Sequence, residues 1–175
     1  MNDSTEHTAP LPNARLAMPA ALLATGLLAG TFLYGWANVT PTFDAVPIDV
    51  HLAFRTELMR MNSIVMQSLM LAAFLTCGWC ALALRGPARA ATAGGAVLAV
   101  ATFLVTRFGN VPINQEMKVW AAGALAVDYQ DRLAAWDLFN DIRVTTALCA
   151  FALVILAADL VRRTARTSTP VPTTR

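Results

Sequence analysis

The chain has 175 residues, of which 57% are hydrophobic and only 14% charged, with a formal net charge of +2. Soluble domains carry about 25% charge, and here the charges are missing from four long blocks, which excludes an ordinary soluble fold. The small net charge, with no basic stripe and no zinc-ligand spacing, excludes a nucleic-acid partner, and 3 cysteines cannot close a disulfide framework.

Residues 1–15 are polar, contain Pro10 and Pro12, and are expected to form a disordered tail; His7 within it is given no role. No charge occurs from Leu16 to Phe43, and about 20 apolar residues cross a hydrocarbon core of ~30 Å. A first span is therefore expected over residues 16–37. Its apolar block is too long for a signal-peptide core, so it is expected to serve as an uncleaved anchor. Gly26 and Gly30 form a Gly-x-x-x-Gly pair that would let a neighbouring helix approach closely. Tyr34 and Trp36 suit the membrane interface.

Residues 38–61 are expected to lie outside the bilayer, with a short helix after Pro47. At helical spacing His51, Arg55, Leu58 and Asn62 share one face of it. The second span, 62–84, carries Asn62, Ser63, Gln67 and Ser68 in its first turns. Polar groups at membrane depth usually face the bundle interior, so these four predict a polar cavity near the outer end. Deeper in the span, Cys77-Gly-Trp-Cys80 has redox spacing. It sits toward the cytoplasmic end, where thiols stay reduced, and no second pair lies in an outer loop; both cysteines are read as packing residues.

Arg85-Gly-Pro-Ala-Arg89 is a tight turn into a third span, 90–106, and a fourth span lies at 144–161. Residues 162–175 form a basic, Thr/Pro-rich tail. Arg15, Arg85, Arg89, Arg162, Arg163 and Arg166 all fall on one side of four spans, which the positive-inside bias assigns to the cytoplasm. The expected architecture is all-α: an integral membrane four-helix bundle, spanning residues 16–161, with both termini cytoplasmic. The 38–61 and 107–143 segments form its polar extracytoplasmic cap. The Ala/Arg/Thr-rich composition points to a bacterial inner (plasma) membrane.

The run from Arg107 to Arg143 is far longer than the usual connection of about 4–6 residues, and its amides, tryptophans and arginines make it the expected site. Asn110 is read as a helix cap with Pro112 in the first turn behind it, which brings Asn114 and Glu116 beside the cavity. Trp136, Asn140 and Arg143 stand at i, i+4 and i+7, on one helix face leading into the last span. Arg107 and Arg143 lie at corresponding ends of spans three and four and could converge. Two cations with the amides of Asn110, Asn114 and Asn140 would hold an anion, enolate or phenolate. Ion pairing with Glu116, Asp137 or Asp141 is the competing use of those arginines. His51 is the natural proton acceptor at neutral pH. A single histidine cannot specify a metal site, and no metal ligand is assigned.

Asn110-Val-Pro-Ile-Asn114, with Trp136-x-x-Phe139-Asn140-x-x-Arg143 at the mouth of the last span, resembles a known family of small four-span membrane proteins. That family includes the anthrone oxygenases of polyketide pathways. The Gly26/Gly30 pair and Asn62 also fit it, and the resemblance covers roughly residues 16–160. Two departures stand out: Asp141 replaces a His common after the motif Asn, and Phe139 stands where Trp is common. The resemblance implies a membrane oxygenase that acts on a lipophilic, enolisable, polyketide-type aromatic. His51 or Glu116 would remove a proton. Asn110, Asn114, Asn140 and Arg143 would hold the oxyanion, and Asn62, Arg107, Trp120 and Trp136 would line the substrate site. O₂ is the co-substrate and no cofactor is called for; a bound metal and a homo-oligomer are left open. The alternative is a non-catalytic accessory protein, or a lipid- or small-molecule-binding one, with the polar motifs as structural caps.

Overall fold

The four apolar blocks each become one long helix, because in lipid every backbone polar group must be satisfied within its own segment. The structure, a computed structural model, describes residues 14–167. The N-terminal tail up to residue 13 and the C-terminal tail beyond Thr167 lie outside the described residues. The helices are α1 (Ala14–Tyr34), α2 (Thr40–Asp44), α3 (Ile48–Ala83), α4 (Gly86–Val105), α5 (Val111–Ala121) and α6 (Tyr129–Thr167). Helix α3 starts directly after Pro47, as its sequence predicts.

Helices α1, α3, α4 and α6 pack around a common core, α1 against α3 and α6, and α4 against α3 and α6. This is an all-α four-helix bundle, and its four long apolar helices make it an integral membrane protein. Leu28, Phe32, Met70, Ala73, Ala99, Val144 and Ala147 fill its outer half. Small side chains fill the other half: Ala17, Ala21, Cys77, Cys80 and Val154. Lipid offers helices no hydrophobic drive to associate, so close van der Waals packing of small residues does that work. Cys77 and Cys80 are free, buried thiols within this packing. The Gly-x-x-x-Gly pair divides: a Cβ on Gly26 would meet the Phe151 ring at 3.2 Å, whereas Gly30 has nothing within 4 Å.

Helix α3 has 36 residues and α6 has 39, lengths of about 54 and 58 Å at 1.5 Å per residue. Both far exceed a hydrocarbon core of ~30 Å. The excess lies at one end, where Glu57 and Arg60 form an exposed ion pair on α3 and Asp131 and Asp141 are exposed on α6. These charges mark the first turns of α3 and α6, with α2 and α5, as a cap outside the bilayer core. An apolar cluster joins the cap's parts: Leu52 from α3 packs with Ile113, Met117 and Trp120 from α5 and Trp136 from α6. The 38–61 and 107–143 segments therefore meet.

Two π-helical segments, Gly35–Val39 and Thr106–Asn110, lead into the cap, and each has a proline two residues beyond its end, Pro41 or Pro112. Proline lacks the N–H that an α-helix needs and its ring crowds the carbonyl four residues back. Widening the preceding turn relieves both faults: the N–H groups of Thr40 and Val111 bond to Gly35 and Thr106, five residues back. The outer cap thus continues spans one and three without a break. The expected cap at Asn110 does not form, since its backbone is helical and its side chain makes no capping bond.

The polar groups at the start of span two also differ from expectation. Asn62 is half-buried, and Ser63, Gln67 and Ser68 are exposed on the outside of the bundle, so they line no interior cavity. The buried polar groups at the cap are instead His51 and Arg55 on α3, Asn110 in the second π-helical segment and Asn140 on α6.

Candidate functional site

The site is built around the Trp136 ring. The guanidinium carbons of Arg55 and Arg143 lie 3.8 and 5.1 Å from its centroid. Helical spacing places Trp136, Asn140 and Arg143 on the inner face of α6. The i, i+4 relation of His51 and Arg55 places both on the inner face of α3. Arg55 is 3% exposed and His51 4%. Among the described residues, neither Arg55 nor Arg143 has a carboxylate within ion-pairing distance; the salt bridges there join Glu57 to Arg60, Glu116 to Arg132, and Asp159 to Arg162 and Arg163.

Hydrogen bonds fix the orientation of each polar group. Arg143 Nε donates to Asn140 Oδ1 at 3.0 Å. A guanidinium can only donate, so the carboxamide must turn its oxygen to Arg143 and its Nδ2 away. Arg55 Nη1 donates to His51 Nε2 at 2.9 Å. By the same rule that nitrogen is the acceptor, and the ring proton sits on Nδ1 on the side of the Phe43 backbone. The Phe43 ring stacks on the imidazole with centroids 5.2 Å apart. Trp136 Nε1 donates to Asn114 Oδ1 at 2.7 Å, and Asn110 Nδ2 donates to the Trp136 carbonyl at 3.1 Å. Asn110 and Asn114 thus hold Trp136 in place, one from the π-helical segment and one from α5.

Several buried polar atoms remain without a protein partner: Arg55 Nε and Nη2, Asn110 Oδ1 and Asp137 Oδ1. A buried donor or acceptor left unsatisfied costs about 1–3 kcal/mol, and such a concentration at one place is a mark of a ligand-facing region. Burial holds the His51 imidazole below its ordinary 6.5, and the Arg55 charge lowers it further, against smaller raising effects of Asp44 and the Phe43 backbone. Burial pushes the Asp137 carboxyl above its ordinary range, with Arg55 pulling it back and Asp44 and Asp141 adding to the rise.

A groove of about 340 Å³ opens beside this cluster, between the Gly35–Val39 π-helical segment with α2 and the face of α6. Trp36, Ala37, Thr40 and Pro41 form one wall, and Asp137, Asn140 and Asp141 the other. Trp36 Nε1 donates to Asp141 Oδ1 across it at 2.7 Å. Asn140 belongs to both groove and cluster, and so links the groove to the two guanidinium groups.

The other expected site residues lie apart from this arrangement. Arg107 is exposed and its guanidinium sits 6.0 Å from the Phe108 ring; Arg55 takes the place expected for it beside Arg143. Glu116 is paired with Arg132, with Nη2 to Oε1 at 2.5 Å. Trp120 is packed in the apolar cluster beneath the cap, and Asn62 stays outside the cluster on α3. Sequence reasoning passed over Arg55 and Asp137 as site residues. Arg55 was signalled by its i, i+4 spacing from His51; Asp137 had no signal beyond its place beside Trp136.

These features define the class: an integral membrane four-helix protein whose outer cap holds a polar, cation-rich site beside a groove. Residues 56–153, over half of the chain, match the anthrone oxygenase family, and the chain belongs to that family. The match includes Asn110, Asn114, Asp137, Asn140 and Arg143, while His51 and Arg55 lie just before it. No curated protein and no solved structure shows a match.

Proposed function

We propose that the protein is a membrane oxygenase that converts an anthrone-type, lipophilic, enolisable aromatic to its quinone. One observation carries this reading within the oxygenase family: two guanidinium groups without a carboxylate partner among the described residues converge on one aromatic ring beside a groove. In a low-dielectric site such cations favour an anion that develops during reaction. The groove admits a planar substrate against Trp36, and the Nδ2 of Asn140, turned away from Arg143, donates to its carbonyl oxygen. Loss of the acidic ring C–H proton then yields an enolate, and the charge on oxygen is held by Asn140 and Arg143. The electron-rich carbon combines with O₂, and the resulting hydroperoxide loses water to give a second carbonyl.

The substrate and O₂ both concentrate in lipid, which favours a site held by a membrane protein close to the bilayer. The arginines at the α3–α4 turn and the end of α6 support a reading with that end of the bundle in the cytoplasm. The site then faces the extracytoplasmic side of a bacterial inner membrane.

The test is oxygen uptake by purified protein in detergent with a simple anthrone, compared with Arg143→Gln. We expect substrate-dependent uptake above the spontaneous rate, reduced about 10²–10³-fold in the variant, the usual effect of removing one oxyanion donor. Uptake at the spontaneous rate with several anthrones would favour a binding or accessory role instead.

A further inference from the structure

We propose that Asp137 is the group that accepts the substrate proton, a role that rests on the oxygenase reading above. Asp137 lines the groove three residues before Asn140. Residues at i and i+3 are neighbours on a helix surface, with Cβ atoms about 5–6 Å apart. An acceptor and an oxyanion donor so placed face one ligand together. An anthrone presents its acidic carbon and its carbonyl at opposite ends of the same central ring, which matches that pairing.

The remaining basic groups near the groove are engaged with a partner or exposed to solvent. Asp141 accepts from Trp36, Glu116 pairs with Arg132, and the Nε2 lone pair of His51 accepts from Arg55. Asp44 is exposed at the end of α2. Asp137 is different: its Oδ1 is buried and makes no hydrogen bond with the protein, and among the described residues no cation forms a salt bridge with it. The charged groups that act on it are Arg55 from α3, Asp44 from α2 and Asp141 from α6 itself. Burial makes its carboxylate a stronger base than a solvated one, and the Arg55 charge acts in the opposite direction by favouring the ionised form.

An Asp137 carboxylate oxygen takes a proton from the ring CH₂, and the C–H electron pair moves into the ring to place negative charge on the carbonyl oxygen. Carbon and O₂ form a C–O bond, and the peroxide oxygen takes the proton back from Asp137. The carboxylate then removes the second C–H proton as the O–O bond breaks. Hydroxide leaves and becomes water with that proton, and the carbon becomes a carbonyl. One O₂ is consumed, with one oxygen in the product and one in water.

Anaerobic exchange of the ring CH₂ protons of anthrone in D₂O isolates the first step from oxygen chemistry. Wild-type protein should accelerate exchange over buffer. Asp137→Asn should lose that acceleration by about 100-fold or more, the usual worth of a positioned base, while binding anthraquinone with unchanged affinity. Should Asp137→Asn fail to assemble, Asp137→Gln compared with Asp137→Glu makes the same test at equal side-chain length; only the carboxylate should support exchange. Exchange by the amide variant within threefold of its carboxylate counterpart overturns the assignment and leaves the oxygenase reading standing if wild type still consumes O₂. Exchange and uptake both at buffer rate in wild type overturn both.

Discussion

Gly109→Ala should damage the protein out of proportion to its one added carbon. Gly109 is buried in the π-helical segment next to Asn110. A Cβ there would lie 2.5 Å from Cγ and 2.6 Å from Cδ1 of the Phe139 ring. These atoms are at the root of a rigid ring and cannot swing aside as a flexible chain end would. Relief requires α6 to move from the π segment or Phe139 to leave its rotamer. Overpacking of this kind costs typically about 1–3 kcal/mol, and contact at the ring root places this site at the upper end. At about 2–4 °C per kcal/mol for a chain of this size, thermal unfolding in detergent should drop by roughly 6–12 °C. Because Asn110 and Trp136 flank the clash, anthrone-dependent oxygen uptake should fall with it. Removing the ring should cancel most of the effect, so Gly109→Ala should cost far less in a Phe139→Ala background. Additive losses in the double variant, or a single variant as stable as wild type, would refute the close-packing argument.

The same geometry sets other outcomes. Arg55→Met should cost about 1–3 kcal/mol of stability, because it strips the donor from the buried His51 Nε2; oxygen uptake should fall at least tenfold. A stability loss beyond about 3 kcal/mol, the cost of breaking a buried pair, would make Arg55 structural. Trp136→Phe keeps an aromatic face under both guanidiniums but removes the donor to Asn114, and should cost about 1 kcal/mol by chemical denaturation; Trp136→Leu should also abolish uptake. Glu116→Gln breaks a half-exposed ion pair, worth no more than about 1 kcal/mol, and uptake should stay within twofold; a tenfold loss would return a catalytic role to Glu116. His51 is held below its ordinary 6.5 in the folded state, so the unfolded chain binds more protons between the two values. Stability is then complete above about pH 6.5 and declines as pH falls below it. His51→Gln should flatten that decline in pH-dependent melting, and an unchanged acid limb would refute it.

Much of the molecule was legible in the sequence because the deciding forces are local. Long apolar blocks with almost no charge must become spanning helices, and Pro47 sets the start of α3. Within one unbroken helix, 3.6-residue periodicity reliably groups Trp136 with Asn140 and Arg143, and His51 with Arg55. The family resemblance rested on the same α6 face together with the Asn110–Asn114 element.

The tertiary structure decided the places where periodicity breaks or where separate helices meet. Each π-helical segment adds a residue to a turn, which rotates the next helical turns by about 100° relative to a regular helix of 3.6 residues per turn. Arg107 and Asn110 lie inside such a segment, so their faces could not be counted from span three; Arg107 turns outward, and Asn110 reaches the Trp136 carbonyl where a helix cap was expected. Partner choice was equally invisible. Arg55 faces Arg143, Arg132 occupies Glu116, and Trp36 occupies Asp141 because helices distant in sequence pack at one end of the bundle. Asp137 owes its lack of a partner to those pairings, which engage acids and the histidine around it and leave its Oδ1 without a hydrogen bond beside the groove.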